Sequence, residues 1–300
     1  HKAHREIPHL SNGLFFNIDD AINFDPQIAV IANPSAFHVS IAMKLASAGV
    51  HLLIEKPLSN NLTNVSTLLK VAHENKIKLL TGYNLRFLPS LDFFRKSIKK
   101  NSIGKVLSVH SEVGQYLPAW RKDVDYSNTV SAKKKLGGGA LLELSHEIDY
   151  LLWVFGEIEW VKSTLSMQSS LDIDVEDSVK IIMGFKENKH KIKLIASVNL
   201  DFIRHDSTRF CTAIGENGSL RWNGLTGKVE IYESITSSWK TIFNTKYKSD
   251  FSYISEWKNF LDCVLENKLP LVSGEDGLKV LKVINAVKKS SQSEGQFIDI

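Results

Sequence analysis

Cysteine is scarce in this sequence, because Cys211 and Cys263 are the two cysteines among 300 residues. They lie far apart, so no disulfide framework is indicated, and a reducing cytoplasm fits better than secretion. Long apolar runs are also missing, which excludes a helix of about 20 residues that could cross a bilayer. The chain starts with neither a signal-peptide apolar region nor a methionine. We therefore expect a cytoplasmic chain with no membrane partner, cut from a longer protein.

The net charge of the chain is small. The sequence has 37 basic and 33 acidic residues, a net charge of +4 and a pI of about 8.8. The basic residues are spread along the chain, which argues against a nucleic-acid partner. The densest basic run, 133–135, indicates a solvated loop, although it could also meet an anionic substrate. With 43% hydrophobic residues, the chain can bury a sizeable core, and its length suggests two domains.

The first third of the chain alternates strands and helices, the α/β pattern of a doubly wound parallel sheet. Continuous apolar runs predict strands covered on both faces, and helical spacing predicts the helices between them. The predicted elements are strands 27–32, 51–54 and 78–83, and helices 37–48 and 63–75. We assign residues 1–101 to this domain.

After residue 101 the pattern changes to an α+β domain, which we place at 102–300. A long loop at 118–136 leads to three glycines and a helix predicted at 140–155. Strand-like runs without helices between them then predict a large, mostly antiparallel sheet. The predicted strands are 105–115, 160–167, 178–185, 190–200, 208–214, 219–222 and 228–233, and further helices are predicted at 91–100, 253–266 and 274–289.

The sequence contains no G-x-G-x-x-G turn, the element that brings backbone N–H groups to a pyrophosphate in dinucleotide-binding folds. One interpretation is that the chain does not bind a dinucleotide. The interpretation we prefer is that the first strand, its glycine turn, the first helix and most of the second strand, roughly 30 residues, are absent from this piece.

Two side chains combine chemistry with a defined position. Lys56 follows the end of the predicted strand 51–54 and directly precedes Pro57, which cannot continue a central strand. Ligands of an open α/β sheet lie at such strand ends. A fixed positive charge there could stabilise a developing alkoxide. His146 follows the glycines on a helix and has an ordinary pKa suited to proton transfer. Glu143 and Asp149 flank His146 at three-residue spacing, so either could orient the imidazole.

Four stretches together resemble the Gfo/Idh/MocA family of NAD(P)-dependent oxidoreductases. They are Ile31-Ala32-Asn33-Pro34-Ser35 with His38, Glu55-Lys56-Pro57, Gly82-Tyr83-Asn84-Leu85-Arg86-Phe87, and Gly137-Gly138-Gly139 continuing to Asp149. The resemblance covers nearly the whole chain, in family order. It departs from the family where the glycine loop should be. Glu143 stands three residues before His146, where many members have an aspartate four before it.

The resemblance implies a partial Rossmann domain that binds NAD or NADP, and a C-terminal domain used for substrate and for homodimer or homotetramer contacts. It implies oxidation or reduction of a CH–OH group in a sugar, nucleotide sugar or inositol-like substrate. The segment Glu143-Leu144-Ser145-His146 resembles members of the family found in cell-surface and nucleotide-sugar pathways. A non-catalytic sensor on the same scaffold, or an inactive fragment, are the alternatives. Substrate, reaction direction and the choice of NAD or NADP stay open.

The expected site residues follow from these motifs. The predicted catalytic residues are Lys56, His146 and Glu143. The predicted cofactor-binding residues are Asn33, Pro34, Ser35, His38, Glu55, Lys56 and Asn84. The predicted substrate-binding residues are Arg86, Trp120, Arg121, Tyr126 and Asp149. His38 could instead cap its helix, Arg86 could pair with an acidic neighbour, and the glycines could form a plain hinge. A metal held by Glu143, His146 and Asp149 is conceivable, but we expect none.

Overall fold

Two β-sheets form the framework of the protein, seen in a computed structural model that describes residues 13–121, 123–187 and 193–300. The smaller sheet is entirely parallel, with strand order β1-β2-β3. Its elements in chain order are α1 (Ile18–Asn23), β1 (Ile28–Ile31), α2 (His38–Ser47), β2 (His51–Glu55), α3 (Val65–Glu74) and β3 (Leu79–Gly82). The predicted strand–helix alternation of the first third is thus confirmed.

The first strand does not have the predicted burial on both faces. β2 and β3 are largely buried, as continuous apolar runs in a parallel sheet should be. In β1, by contrast, Val30 is 52% exposed, and its only strand partner among the described residues is β2. An apolar run therefore indicated a strand correctly but overstated how much protein covers it.

The larger sheet has nine described strands in the order β11-β10-β9-β8-β4-β7-β6-β5-β12. β4 and β7 run parallel, and the other described pairs of this sheet are antiparallel. The elements are α4 (Pro89–Lys99), β4 (Val106–Gly114), α5 (Ala140–Glu143), α6 (His146–Phe155), β5 (Ile158–Ser166), β6 (Ser178–Phe185), β7 (Ile195–Asp201), β8 (Thr208–Gly215), β9 (Gly218–Asn223), β10 (Lys228–Glu233), β11 (Ser238–Asn244), α7 (Phe251–Leu265), α8 (Gly274–Gln292) and β12 (Ile298–Asp299). The predicted α+β, mostly antiparallel architecture is confirmed.

Three details differ from the sequence analysis. The helix predicted at 140–155 breaks at Leu144 and Ser145, so His146 begins a helix of its own. β11 and the two-residue β12 were not predicted, because both are largely exposed and lack a buried apolar run. Of the predicted strand 190–200, residues 190–192 lie outside the described part of the chain, and the strand itself begins at Ile195, after two irregular residues. The long loop contains several short 3-10 turns.

The C-terminal helix ties the two sheets together. Before α8 begins, the Thr81 N–H of β3 donates to the Val272 carbonyl at 3.1 Å. Near its other end, the Ser290 hydroxyl accepts from the Ser163 N–H of β5 at 2.9 Å. One apolar cluster runs continuously through both sheets and their helices, which holds the ends of β2 and β3 against the start of α6. None of the described helices is both long and apolar enough to cross a membrane.

Candidate active site

Lys56 lies where β2 ends, and its ammonium group reaches across to α5. Nζ donates to the Glu143 carbonyl at 2.9 Å and to Glu143 Oε2 at 3.3 Å. The two side chains are 18% and 19% exposed, so the pair is sheltered but open on one side. An ammonium has three N–H donors, and two of them are used here. One donor of Lys56 is therefore left for a ligand, and Glu143 is placed as the partner of Lys56.

His146 starts α6 immediately beyond this ion pair. Its ring packs edge-on against Tyr83, with centroids 5.5 Å apart and planes at 82°. Nδ1 is buried without a hydrogen-bond partner among the described residues, whereas the residue as a whole keeps partial exposure. Burial, followed by the charges of Lys56 and Arg209, holds the pKa of His146 well below its ordinary value. The imidazole is consequently neutral at pH 7 and able to accept a proton.

The carboxylates that flank His146 do not orient it. Glu143 binds Lys56, and Asp149 binds Arg86 through two bonds, Nη2 to Oδ1 at 2.7 Å and Nε to Oδ2 at 3.0 Å. The expected carboxylate–imidazole hydrogen bond is therefore not formed by either residue. Packing against Tyr83, whose hydroxyl donates to Ser145 at 3.2 Å, takes that role.

Arg86 and Asp149 form a buried ion pair, the alternative that the sequence left open for Arg86. Their side chains are 4% and 1% exposed, and Asp276 lies 3.5 Å from the same guanidinium. Burial raises the pKa of Asp149 to about 6 in spite of Arg86. Because both oxygens of Asp149 are used, direct contact of this pair with a substrate stays an untested prediction that the geometry does not favour.

The predicted cofactor-binding residues gather at the carboxyl ends of the three parallel strands. After β1, the Oδ1 of Asn33 is buried without a partner among the described residues. At the end of β2, the carboxylate of Glu55 accepts the Lys56 N–H at 3.2 Å. After β3, Asn84 is buried and donates to Ser252 of α7 at 2.9 Å. Polar side chains thus line the strand ends at which such sheets bind ligands.

The remaining residues of the first motif hold this edge together. The ring nitrogens of His38 lie 2.8 Å from the Asn33 carbonyl and 3.0 Å from the Pro57 carbonyl. His38 therefore joins the end of β1 to the turn after Lys56, rather than capping its helix. Pro34 shapes the same turn. Ser35 is buried against Gly137, where φ is +88° and an added Cβ would overlap the Ser35 hydroxyl.

Three predicted substrate residues lie in the long loop instead of at this edge. Trp120, Arg121 and Tyr126 line a small pocket built largely from the same loop. Trp120 donates to the Gln115 carbonyl at 3.1 Å and packs edge-on against Phe202. No described hydrogen bond or ion pair joins these residues to Lys56 or His146, so their role toward a substrate remains a prediction. Among the described residues, no group of His, Cys, Asp and Glu forms a metal site.

The sequence analysis missed an ion pair next to His146 and a buried carboxyl group near Glu55 and Asp149. Arg209 of β8 donates from Nε to Glu147 Oε1 at 2.9 Å, and Glu147 is fully buried. Glu256 of α7 is 3% exposed, and burial, followed by the charge of Glu55, raises its pKa to about 8. The position of Glu147 next to His146 was visible in the sequence, but its partner is 62 residues away. No sequence pattern indicated that pairing.

Comparison with models of known protein families shows which family this chain belongs to. Residues 95–299 match the oxidoreductase-family C-terminal α/β domain, and residues 3–83 match the NAD-binding Rossmann fold of the same family. The chain belongs to the Gfo/Idh/MocA oxidoreductase family. The resemblance seen in the four motifs is thereby confirmed.

Individual relatives of this Gfo/Idh/MocA protein are distant. Myo-inositol 2-dehydrogenase of Thermotoga maritima is 24% identical over 288 residues, which are 90% of this chain and 79% of that enzyme. Levoglucosan dehydrogenase of Pseudarthrobacter phenanthrenivorans is 32% identical over 146 residues, 47% of this chain and 37% of that enzyme. An oxidoreductase of Synechocystis is 25% identical over 68% of this chain and 57% of its own length. The matched segments thus span only part of the latter two proteins.

Solved structures agree with the fold. Levoglucosan dehydrogenase in complex with NADH and levoglucosan superposes with a TM-score of 0.82 at 22% identity, covering 95% of this chain and 82% of that one. The WlbA dehydrogenase from Bordetella pertussis, in complex with NADH and UDP-GlcNAcA, gives 0.78 at 22% identity with the same coverage of both chains. At this identity the likeness supports the architecture of both sheets.

Proposed function

We propose that this protein is an NAD(P)-dependent oxidoreductase that transfers a hydride between a nicotinamide and a hydroxyl-bearing carbon of a sugar, nucleotide sugar or inositol-like substrate. The observation that carries the proposal is that Lys56, at the end of β2, binds Glu143 three residues before His146, so that its ammonium group acts on the imidazole at the start of α6. The family membership supports it, as do the activities printed in the names of its relatives, which include levoglucosan and inositol dehydrogenases.

The roles of the two residues follow from their surroundings. In the oxidation direction, His146 accepts the hydroxyl proton, because burial and two nearby cations keep its imidazole neutral. Lys56 stabilises the negative charge that develops on the same oxygen with its remaining N–H donor. Glu143 fixes the direction of the ammonium through two contacts. The substrate carbon loses a hydride as the C–O bond becomes a carbonyl.

The residues at the strand ends fit a nicotinamide cofactor. Asn33 leaves a buried oxygen unpaired, which a ligand amide or hydroxyl could satisfy. Asn33, Glu55 and Asn84 would hold the group, and Pro34, Ser35 and His38 shape the turn beneath it. When bound, the nicotinamide supplies the site that accepts the hydride. Neither NAD nor NADP is favoured by these residues.

Two wider proposals accompany this one. None of the described helices covers one face of the large sheet, and Ile182 and Ile195 are 48% and 46% exposed on it. Exposed apolar residues on a broad sheet suit an isologous contact between copies of the chain, so we propose a homodimer or homotetramer formed through this face. The cytoplasm remains the proposed compartment, because Cys211 and Cys263 are unpaired thiols.

Replacing Lys56 by alanine tests the proposed function. We expect kcat to fall at least about a hundredfold with cofactor affinity little changed, because the lost charge acts mainly on the transition state. The full-length protein would be assayed with NAD⁺ and NADP⁺ against myo-inositol, levoglucosan and UDP-sugars. Lys70→Ala is the matched control, because Lys70 is an exposed surface lysine 3.8 Å from Glu74.

Two results would contradict the proposal. If the full-length protein does not change the fluorescence of NADH or NADPH, the enzyme assignment fails. If Lys56→Ala keeps the kcat of the unmodified protein, Lys56 has no part in the mechanism.

A further inference from the structure

Arg209 of β8 carries a positive charge beside α6, the helix that begins at His146. It lies in β8 opposite Val113 of β4, on the sheet face that packs against α6. Its Nε donates to Glu147 Oε1 at 2.9 Å, and its terminal nitrogens make no hydrogen bond to any residue in the described ranges. The Arg209 side chain is 18% exposed, and that of Glu147 is 0% exposed. The pair therefore turns its positive end outward.

Two contacts hold the Arg209 side chain in place before any ligand arrives. The buried carboxylate of Glu147 anchors the guanidinium at Nε. The stem passes over Gly224, where an added Cβ would lie 2.6 Å from Arg209 Cδ. A glycine at this position leaves room for the stem, and an arginine fixed in this way loses little freedom when it binds.

Arg209 is held next to the proposed catalytic histidine, because its partner Glu147 directly follows His146 in α6. The charges of Lys56 and Arg209 both act on the imidazole of His146. Of the carboxylates nearby, Glu143 is bound to Lys56, and Glu147 keeps its second oxygen buried. A ligand whose hydroxyl reaches His146 and Lys56 would therefore meet the free N–H groups of Arg209 next.

We propose that Arg209 binds an anionic group of the substrate, a carboxylate or a phosphate, on the part of the molecule that does not react. The inference rests on the proposed function, because it takes the cleft at His146 as the substrate site. The planar, forked donors of arginine match carboxylate and phosphate oxygens. The substrate is then an acidic derivative of a sugar or cyclic polyol.

Ligand binding to the NADH-loaded, full-length protein tests this proposal without a known substrate. D-glucose, D-glucuronate and glucose 6-phosphate serve as neutral, carboxylate and phosphate probes, and the change in NADH fluorescence gives each Kd. We expect at least one anionic probe to bind about tenfold or more tightly than glucose, as a charge-assisted hydrogen bond predicts. The anionic probe with the lower Kd shows whether Arg209 prefers a carboxylate or a phosphate.

Substitutions then locate the effect. Arg209→Met should bring the Kd of the preferred anion to within about twofold of that of glucose, and Arg209→Lys should keep a preference. Arg204→Met is the matched control, because Arg204 is similarly sheltered at 22% exposure and paired with Asp201 at 3.0 Å. Its preference should equal that of the unmodified protein. Should Arg209→Met not fold, Gly224→Ala displaces the same stem and should weaken the preference several-fold.

The outcomes separate the two proposals. If NADH does not bind, the proposed function fails and this inference fails with it. If NADH binds and the anionic probes bind no more tightly than glucose, only the inference is overturned. The same holds if the preference survives Arg209→Met, or Gly224→Ala where that variant stands in for it.

Discussion

The buried ion pair between Arg86 and Asp149 allows a prediction whose size follows from its geometry. Replacing Arg86 by methionine keeps much of the side-chain volume but leaves the Asp149 carboxylate without the two bonds at 2.7 and 3.0 Å. Removing one partner of such a pair costs about 3–5 kcal/mol, since a charge remains buried and uncompensated. We expect this loss in the free energy of unfolding at pH 8.

The loss should be smaller in acid. The pKa of Asp149 is already raised to about 6, mainly by burial, and without Arg86 it rises further. In the folded variant Asp149 then holds a proton that the unfolded chain releases above pH 4, so the stability of the variant falls as the pH rises from about 4 past 6. At pH 5 the carboxyl is neutral, and the loss should shrink by at least about 1 kcal/mol.

Urea unfolding followed by tryptophan fluorescence at pH 5 and pH 8 measures both quantities. Arg95→Met is the matched control, because Arg86 and Arg95 both pack over the Trp153 ring, at 5.7 and 4.4 Å, and Arg95 has no buried carboxylate partner among the described residues. Adding Asp149→Asn to the Arg86 variant should restore part of the stability at pH 8. The reasoning is refuted if Arg86→Met costs less than about 1 kcal/mol at pH 8, or costs the same at both pH values.

Two further predictions concern other perturbed groups. The pKa of His146 should lie below its ordinary 6.5, so kcat/KM for oxidation should fall only below that pH. Lys56→Ala removes a nearby cation and should move this acid limb of the pH profile to higher pH. NMR titration of the His146 ring checks the assignment, and an acid limb above pH 6.5 in the unmodified protein contradicts it. The pKa of Glu256 is raised to about 8, so its proton is held in the folded state and lost on unfolding between about pH 4.5 and 8, and stability declines across that window. Glu256→Gln should therefore gain Tm relative to the unmodified protein at pH 8.5 but not at pH 4, whereas an equal difference at both pH values would contradict it.

The local patterns of this sequence predicted elements well where burial and chain order agree. β2 and β3 are apolar runs with protein on both faces, and each of the strand-like runs predicted after residue 156 forms a strand of the large sheet, from β5 to β10. The predictions failed where the burial of a residue depends on segments that are distant in the sequence. Val30 reads as a buried residue, yet it lies on a strand with one described neighbour. The break at Ser145 was invisible because Ala140–Phe155 keeps one helical pattern on both sides of it.

The candidate site shows the same division between what lies near in the chain and what meets it in space. Three carboxylates lie near His146 in the sequence, at 143, 147 and 149, and the three-residue spacing of Glu143 and Asp149 indicated groups that could orient the imidazole. In the structure each one binds a different cation, Lys56 after β2, Arg86 after β3 or Arg209 in β8. These partners come from 62 to 87 residues away, beyond the reach of helical periodicity.

The three ion pairs together hold His146, the base of the proposed reaction, in place without bonding to its ring. Each pair fixes the segment that carries His146 to a different strand or strand end. None of the three pairs includes a hydrogen bond to the imidazole ring of His146. Their burial is graded, since the Arg86 pair is closed at 4% and 1% exposure, whereas Lys56 and Arg209 each keep 18%. The closed pair supports the helix, and the two partly open cations keep N–H donors that suit the substrate contacts we propose for them.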